Sequence, residues 1–260
     1  MTSGSRILVD RVAHLDAARP TLPDDDPLLS DLQHFIRTVT PVTRPPDTHR
    51  DTLPVVSPDE ADSIVAGSAL LERLRAAWPA VVLGPVALDR QYWISAERPV
   101  DQPRRHPELD ARFFDAPGAG HARAPATKPF GLGLFTSTGS AATFGMWWLY
   151  LQDYRGSTLF REPWTPWRVA LADASVLEVR SAADWAALVA AYPLEDAGMA
   201  FPDWARIAER WDGVHMTVPA VAATQGVGLE VGGTATAPTN WDVESTLWLR
   251  WRVTAAAPVV

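Results

Sequence analysis

The uneven distribution of proline and tryptophan constrains the fold more than any other feature of these 260 residues. Sixteen of the 23 prolines lie at or before Pro129, whereas ten of the 12 tryptophans lie at or after Trp147. Proline interrupts helices and sheets, and each buried tryptophan adds a large apolar area to a core. We therefore expect a proline- and acid-rich N-terminal extension over residues 1–56 and a domain over residues 57–260. A second boundary near residue 107 stays open.

Apolar spacing along residues 57–260 predicts short helices and strands without a regular βαβ order. Ser57-Pro58-Asp59-Glu60 combines the cap, the proline and the acid of a helix start, and the helix is expected to end at Pro79. Further helices are predicted over residues 28–39 and 140–152 and from residues 181 and 202. Strands are predicted over residues 80–86, 90–95, 112–114, 131–137, 167–171, 176–179, 214–218 and 245–253. Residues 225–240 are expected to form a loop. The pattern favours a mixed α+β fold.

Charge and composition exclude several classes of function. The net charge of −8 and the pI of about 5.2 disfavour general nucleic-acid binding. The absence of cysteine excludes disulfides, thiolate metal sites and cysteine nucleophiles. No two histidines have the spacing of zinc ligands with an acid, so no metal is expected. The sequence has no apolar run of 18 residues and no secretory signal, which predicts a cytoplasmic protein that does not bind membranes. Export by a signal-independent route stays open.

Residues 131–144 (GLGLFTSTGSAATF) form the most suggestive segment for ligand binding. Gly131 and Gly133 allow the backbone to approach a ligand closely. The hydroxyl groups of residues 136–138 offer donors and acceptors, and Phe144 offers a flat ring for stacking. The same residues are also typical of a tight turn between a strand and a helix with a serine or threonine cap, and this alternative stays open.

An acidic pair precedes the last predicted strand. Glu244 lies between a glycine- and threonine-rich segment and an apolar strand, where an acid is held rigidly yet faces a ligand. Asp242 would lie on the same side if the strand began early. Both acids are equally compatible with a solvated loop. A lone histidine on a strand, His215, is interpreted as a hydrogen-bonded core residue rather than as a catalyst.

Other candidates are less specific. Arg112 is the candidate for binding a pyrophosphate, since a guanidinium group pairs with phosphate through two donors, and Arg90 and Arg123 compete with it. Most tryptophans are expected in the core. Trp164, Trp167 and Trp241 lie in predicted loops and would suit a carbohydrate-binding surface if they were exposed.

The chain resembles the ADP-ribosyltransferase fold over about residues 108–253. Residues 130–135 (FGLGLF), followed by Ser140-Ala141 and Phe144, resemble the strand and helix that bind nicotinamide in the poly-ADP-ribose polymerase and diphtheria-toxin branch. Residues 136–138 resemble a permuted form of the Ser-Thr-Ser element of the cholera-toxin-like branch. Residues 243–249 (VESTLWL) are similar to the late strand that begins with a glutamate, and Asp242-x-Glu244 is similar to the paired-acid motif.

This resemblance implies a core of two small sheets with NAD in the cleft between them. NAD would be a substrate, and the activity would be mono-ADP-ribosylation of an unidentified protein or small molecule. An NAD glycohydrolase on the same fold, a non-catalytic protein-interaction module and a carbohydrate-binding protein are the alternatives. The residues that the resemblance assigns to catalysis are Glu244, Asp242 and Ser137. Those that it assigns to NAD binding are Arg112, Gly131, Gly133, Phe135, Thr136, Thr138 and Phe144.

Overall fold

The computed structural model describes residues 1–17, 26–40, 53–97, 109–118, 126–129, 132–140, 143–153, 161–196, 198–238 and 241–259. The helices are α1 (Ser3–Leu15), α2 (Pro27–Val39), α3 (Pro58–Val65), α4 (Ala69–Ala77), α5 (Pro79–Leu83), α6 (Met146–Asp153), α7 (Ala182–Ala191), α8 (Trp204–Arg210) and α9 (Val218–Thr224). The strands are β1 (Val55–Val56), β2 (Gln91–Glu97), β3 (Leu134–Thr138), β4 (Arg161–Leu171), β5 (Val176–Val179), β6 (Pro193–Asp196), β7 (Met199–Pro202), β8 (Gly213–Met216), β9 (Gly228–Val231), β10 (Thr234–Thr236), β11 (Ser245–Trp248) and β12 (Val253–Pro258). None of these helices is long and apolar enough to cross a membrane.

Two mixed sheets confirm the predicted α+β class. The larger sheet has the strand order β12-β4-β2-β3-β11-β8-β5, and the smaller has the order β1-β9-β10-β7-β6. In the larger sheet β11 is antiparallel to both β3 and β8, whereas β5 and β8 are parallel. The two segments singled out from the sequence, residues 134–138 and 245–248, are therefore hydrogen-bonded neighbours at the centre of this sheet.

The larger sheet is strongly curved. Asp212, just before β8, accepts hydrogen bonds from Arg250 at 3.1 Å and from Arg252, just before β12, at 2.6 Å. In a flat sheet these two strands, five spacings apart in the strand order, would lie about 24 Å from each other. Curvature therefore brings the start of β12 close to the start of β8. Burial favours a higher pKa for Asp212, but the hydrogen bonds from Arg252, Ser175 and Arg250 outweigh it and lower the pKa.

The N-terminal helices contribute to the main hydrophobic core. Leu8 and Leu15 of α1 and Phe35 and Ile36 of α2 are fully buried in the same cluster as Trp185 of α7. The guanidinium group of Arg11 in α1 donates to the carbonyl oxygens of Ala222, at 2.6 Å, and Gln225, at the end of α9. Helices α1 and α2, which lie within the predicted N-terminal extension, are thus part of the main core. The division of the chain at residue 56 stays a prediction.

Polar caps, from neighbouring or from distant residues, fix where several helices begin. Ser57 accepts a hydrogen bond from the Glu60 backbone N–H, which confirms the predicted helix start. Asp16, after α1, accepts from the backbone N–H groups of Ala69 and Leu70 and caps α4. Such caps satisfy backbone donors that have no partner inside the helix.

A second distant cap belongs to α7. Asp62 of α3 accepts from the backbone N–H groups of Ala182 at 2.7 Å and Ala183 at 3.0 Å. The helix that starts at Pro58 and the helix that starts at Ala182 are thereby held together through a side chain that lies 120 positions away from its partner.

Several predicted elements are wrong in type or extent. The helix expected to run to Pro79 is interrupted after Val65 because Ser68 caps a new helix, and Pro79 begins α5 where a strand was expected. Residues 111–113 form a 3-10 turn, not a strand, because the Asp110 side chain caps the Arg112 N–H. The predicted loop over residues 225–240 contains β9 and β10, which Gly232 and Gly233 join in a hairpin turn. The helix predicted from residue 140 begins at Met146, and the strand predicted to residue 253 ends at Trp248.

Candidate functional site

Strand β3 presents different chemistry on its two faces. Thr136 pairs with Thr246 of β11, and Thr138 pairs with Gln91 of β2. Because side chains alternate along a strand, Thr136 and Thr138 lie on one face, whereas Phe135 and Ser137 lie on the other. Helix α6 covers the second face, where the Trp147 backbone N–H donates to Ser137 Oγ at 3.3 Å.

Glu244, immediately before β11, is joined to β3 through its side chain and its backbone. Both carboxylate oxygens lie 3.1 Å from the Thr138 backbone nitrogen, and Ser137 Oγ donates to the Glu244 carbonyl oxygen at 2.7 Å. The Glu244 side chain is fully buried. The hydroxyl-bearing strand and the acidic residue picked out from the sequence therefore contact each other directly.

A histidine completes the surroundings of the Glu244 carboxylate. His215 of β8 contacts Glu244 Oε1 through Nε2 at 3.0 Å and Glu178 Oε2 through Nδ1 at 2.7 Å. Its ring is fully buried. Burial favours a lower pKa, but the hydrogen bonds to Glu178 and Glu244 and the charges of both carboxylates outweigh it and raise the pKa of His215 to about 9. His215 is thus a cation at neutral pH.

Glu178 of β5 is the second carboxylate that contacts His215. Its side chain is 12% exposed, and Oε1 accepts a hydrogen bond from the Val86 backbone N–H at 2.8 Å. Burial favours a higher pKa for Glu178, but the contact with His215, the Val86 N–H and the charge of Arg180 outweigh it and lower the pKa. Gly84 permits this approach, since a Cβ atom there would lie 2.5 Å from Glu178 Oε2.

The charges around His215 are closely paired. Glu244 and His215 are fully buried, and the positive charge of Arg180 acts on Glu178 at the edge of the group. Buried charge is costly unless it is paired, and here His215 lies between the two carboxylates. The interpretation of His215 as a hydrogen-bonded core residue is confirmed. Sequence reasoning missed Glu178, because the parallel pairing of β5 with β8 has no local signature.

The hydroxyl groups of Thr136 and Thr138, on the same face of the sheet as Glu244 and His215, are hydrogen-bonded to neighbouring side chains. Thr136 Oγ1 accepts from Trp248 Nε1 at 2.8 Å and donates to Gln91 Oε1. Gln91 Nε2 in turn donates to Thr138 Oγ1 at 3.0 Å. The hydroxyl group of Thr246, which is paired in register with both Thr136 and His215, is buried and has no hydrogen-bond partner among the described residues.

Phe135 and Phe144, which the resemblance assigns to NAD binding, lie on the face that α6 covers. Phe135 packs edge-on against Trp241, with ring centroids 5.7 Å apart, and Lys128 Nζ lies 4.7 Å from its ring centroid. Phe144 contacts Tyr92, the register partner of Ser137, at a centroid distance of 5.8 Å. The Glu244 carboxylate contacts His215, which shares the opposite face with Thr136. The structure therefore does not bring these two rings and this carboxylate around one nicotinamide.

The remaining predicted residues are spread over other positions. Arg112 is mostly exposed and forms an ion pair with Asp110 at 2.7 Å, away from the contacts of Glu244. Gly133 has φ +65°, and a Cβ atom there would overlap the carbonyl oxygen of Trp248. The glycine therefore lets the backbone pack closely against β11. Asp242 is buried at 3% exposure. Gly131 lies outside the described residues.

The described residues contain no group of three histidine, aspartate or glutamate side chains arranged to hold a metal ion. Comparison with known proteins gives no match to a protein-family model, to a curated protein or to a solved structure. The assignment of function therefore depends on the residues around Glu244.

Proposed function

We propose that the protein is an NAD-dependent mono-ADP-ribosyltransferase in which Glu244 is the central acidic residue. The observation that carries this proposal is the pairing of Glu244 with the hydroxyl-bearing strand. Its carboxylate accepts from the Thr138 N–H, and its carbonyl oxygen accepts from Ser137. These are the two segments through which the sequence resembles ADP-ribosyltransferases, and they are adjacent strands of one sheet.

The charge of the site suits the chemistry of the reaction. When the bond between nicotinamide and ribose breaks, its electron pair leaves with nicotinamide, and positive charge develops at the anomeric carbon. A fixed carboxylate stabilises that charge most effectively where water is excluded. The nucleophilic atom of the acceptor then bonds to the anomeric carbon and loses its proton. The positive charge moves from the nicotinamide ring to the ribose, so a carboxylate held beside the anomeric carbon favours the transition state over bound NAD.

A non-catalytic interaction module is the second candidate, and one observation favours it. The carboxylate of Glu244 and the ring of His215 are fully buried. A ligand therefore reaches Glu244 only after the residues around the carboxylate rearrange. Buried, well-paired charges also occur in proteins where they only help to specify the folded structure, as in a non-catalytic module.

Analysis of the products formed from NAD separates the candidates. The protein is incubated with NAD beside the Glu244→Gln variant and the Glu230→Gln variant, which alters an exposed glutamate on β9. A transferase releases nicotinamide and attaches ADP-ribose to an acceptor, whereas a glycohydrolase releases free ADP-ribose with no acceptor present. Glu244→Gln should abolish either reaction, and Glu230→Gln should leave it intact. Unchanged NAD with the wild-type protein would leave the interaction module as the better assignment.

A further inference from the structure

His215 has a hydrogen-bonding arrangement that fixes its charge. Both ring nitrogens face carboxylate oxygens, at 2.7 Å for Glu178 and 3.0 Å for Glu244. An ionised carboxylate only accepts hydrogen bonds, whereas a neutral imidazole has one donor and one acceptor nitrogen. Satisfying both contacts with ionised partners therefore requires a proton on each nitrogen, that is, an imidazolium ion.

We infer that His215 and Glu178 are positioning residues for Glu244, which they hold in one orientation beside the Thr138 N–H. This inference rests on the proposed function, and it adds two residues that the sequence resemblance does not assign. His215 acts directly on the carboxylate, whereas Glu178 acts through His215. Neither residue needs to touch the substrate.

The contacts of Glu244 show why a positioning partner matters. The Thr138 N–H lies 3.1 Å from both carboxylate oxygens, so by itself it does not select one orientation of the carboxylate. The bond from His215 Nε2 to Oε1 is what distinguishes the two oxygens. Charge-assisted hydrogen bonds are short and directional, which suits them to this task.

Glu178 fixes the histidine in turn. It accepts from His215 on one oxygen and from the Val86 backbone N–H on the other, so the carboxylate is held from two sides. The charged groups that act on His215 from the strands around it are Glu178 on β5 and Glu244 before β11, and Arg180 acts on Glu178 from the end of β5. The Thr246 hydroxyl adjoins His215 in register and is uncharged. The proton on His215 is therefore controlled mainly by the two glutamates.

One consequence is an alkaline limit to turnover. The pKa of His215 is raised to about 9, so the imidazolium persists through neutral pH. Above that pH the ring loses a proton and can no longer donate to both carboxylates. Turnover of NAD should therefore be constant between pH 6.5 and 8 and should fall as the pH rises through about 9.

The test combines one measurement on the wild-type protein with a set of variants. Nitrogen NMR of ¹⁵N-histidine-labelled protein should show both nitrogens of His215 protonated at pH 7.5 and one of them deprotonated near pH 9. His215→Gln and Glu178→Gln should each lower kcat roughly 10- to 100-fold, the loss of one hydrogen bond to a charged group, with a smaller change in KM. The double variant should lose little more than either single variant.

The pattern across variants separates positioning from folding. His215→Gln retains an N–H that donates to Glu244 and should be more active than His215→Ala. Its alkaline decrease in turnover should be absent. His14→Gln, an exchange on the exposed side of α1, should leave turnover and its pH profile unchanged.

Each contrary result has its own meaning. A neutral His215 ring at pH 7.5, or full activity of His215→Gln while Glu244→Gln is inactive, would overturn the positioning roles and leave the proposed function standing. Absence of NAD cleavage by the wild-type protein would overturn both.

Discussion

Removing the proton from His215 should destabilise the folded protein by a predictable amount. The pKa of His215 rises from the ordinary value of 6.5 to about 9 in the folded protein. One pKa unit corresponds to about 1.4 kcal/mol, so His215 contributes about 3 kcal/mol to the free energy of unfolding. Because the folded-state pKa is the higher one, this contribution is fully present below pH 6.5. It is lost as the pH rises through about 9.

Urea denaturation followed by tryptophan fluorescence measures this effect directly. The free energy of unfolding should fall by about 3 kcal/mol between pH 6.5 and pH 10 in the wild-type protein. His215→Gln should be less stable at pH 6.5 and should show a much smaller decrease. His14→Gln, with the same chemical change at an exposed position, should follow the wild-type curve. Equal decreases in wild type and His215→Gln would refute the assignment of a buried imidazolium.

Three further predictions concern packing and stability. Gly133→Ala should lower the free energy of unfolding by about 2 to 4 kcal/mol, since the new methyl group meets Trp248 at positive φ. The control is Gly232→Ala, which lies at positive φ with nothing within 4 Å and should lower the free energy of unfolding by about 1 kcal/mol. If urea denaturation gave the same loss for both variants, the packing role of Gly133 would be contradicted. Asp62→Ala should cost about 1 kcal/mol because the Ala182 and Ala183 N–H groups at the start of α7 lose their acceptor, whereas an unchanged denaturation midpoint would argue against this contact. Lys128, the single lysine, is 6% exposed, and amine-reactive labelling followed by mass spectrometry should modify it only after denaturation. Rapid labelling of the folded protein would show that its aromatic surroundings open.

The best-predicted parts of the fold carry local signals. Helix α2 begins at Pro27 after its cap Asp26, and helix α7 follows its cap Ser181, so caps and apolar spacing mark where both begin. Strand β3 has β-branched residues between glycines, and its type was predicted correctly. The mixed α+β class follows from the same short elements. The finer expectation, a core of the ADP-ribosyltransferase type, stays a prediction.

The missed elements depend on contacts between distant residues. Helix α4 begins at the local cap Ser68, but Asp16 from the end of α1 also accepts from its first backbone N–H groups, and this second contact has no local signature. Strand β9 has a weak sequence pattern, yet Leu229 is fully buried and pairs in register with Val56. Helix α5 contains Val81 and Val82, whose β-branched side chains favour a strand, but both are buried in the core as a short helix after Pro79.

In the candidate site, too, some contacts join segments that the sequence selects, whereas others depend on strand pairing that the sequence does not reveal. Ser137 and Glu244 contact each other because antiparallel pairing of β3 with β11 aligns them, and both belong to segments that the sequence resemblance selects. His215 reaches Glu244 through the antiparallel pairing of β8 with β11, and Glu178 reaches His215 through the parallel pairing of β5 with β8, between residues 37 positions apart. Arg112 has its own acidic partner, Asp110, two residues earlier. Its role in binding NAD stays a prediction.

The most direct test of the central claim is the rate of nicotinamide release from NAD by purified wild-type protein and by Glu244→Gln. The exchange of a carboxylate for an amide preserves the size of the side chain and removes the charge at the buried position beside Thr138 and His215. Release by the wild-type protein that is lost in Glu244→Gln, while the variant stays folded, is the predicted result. Equal release by both proteins, or none by either, would contradict the role of Glu244 in NAD cleavage.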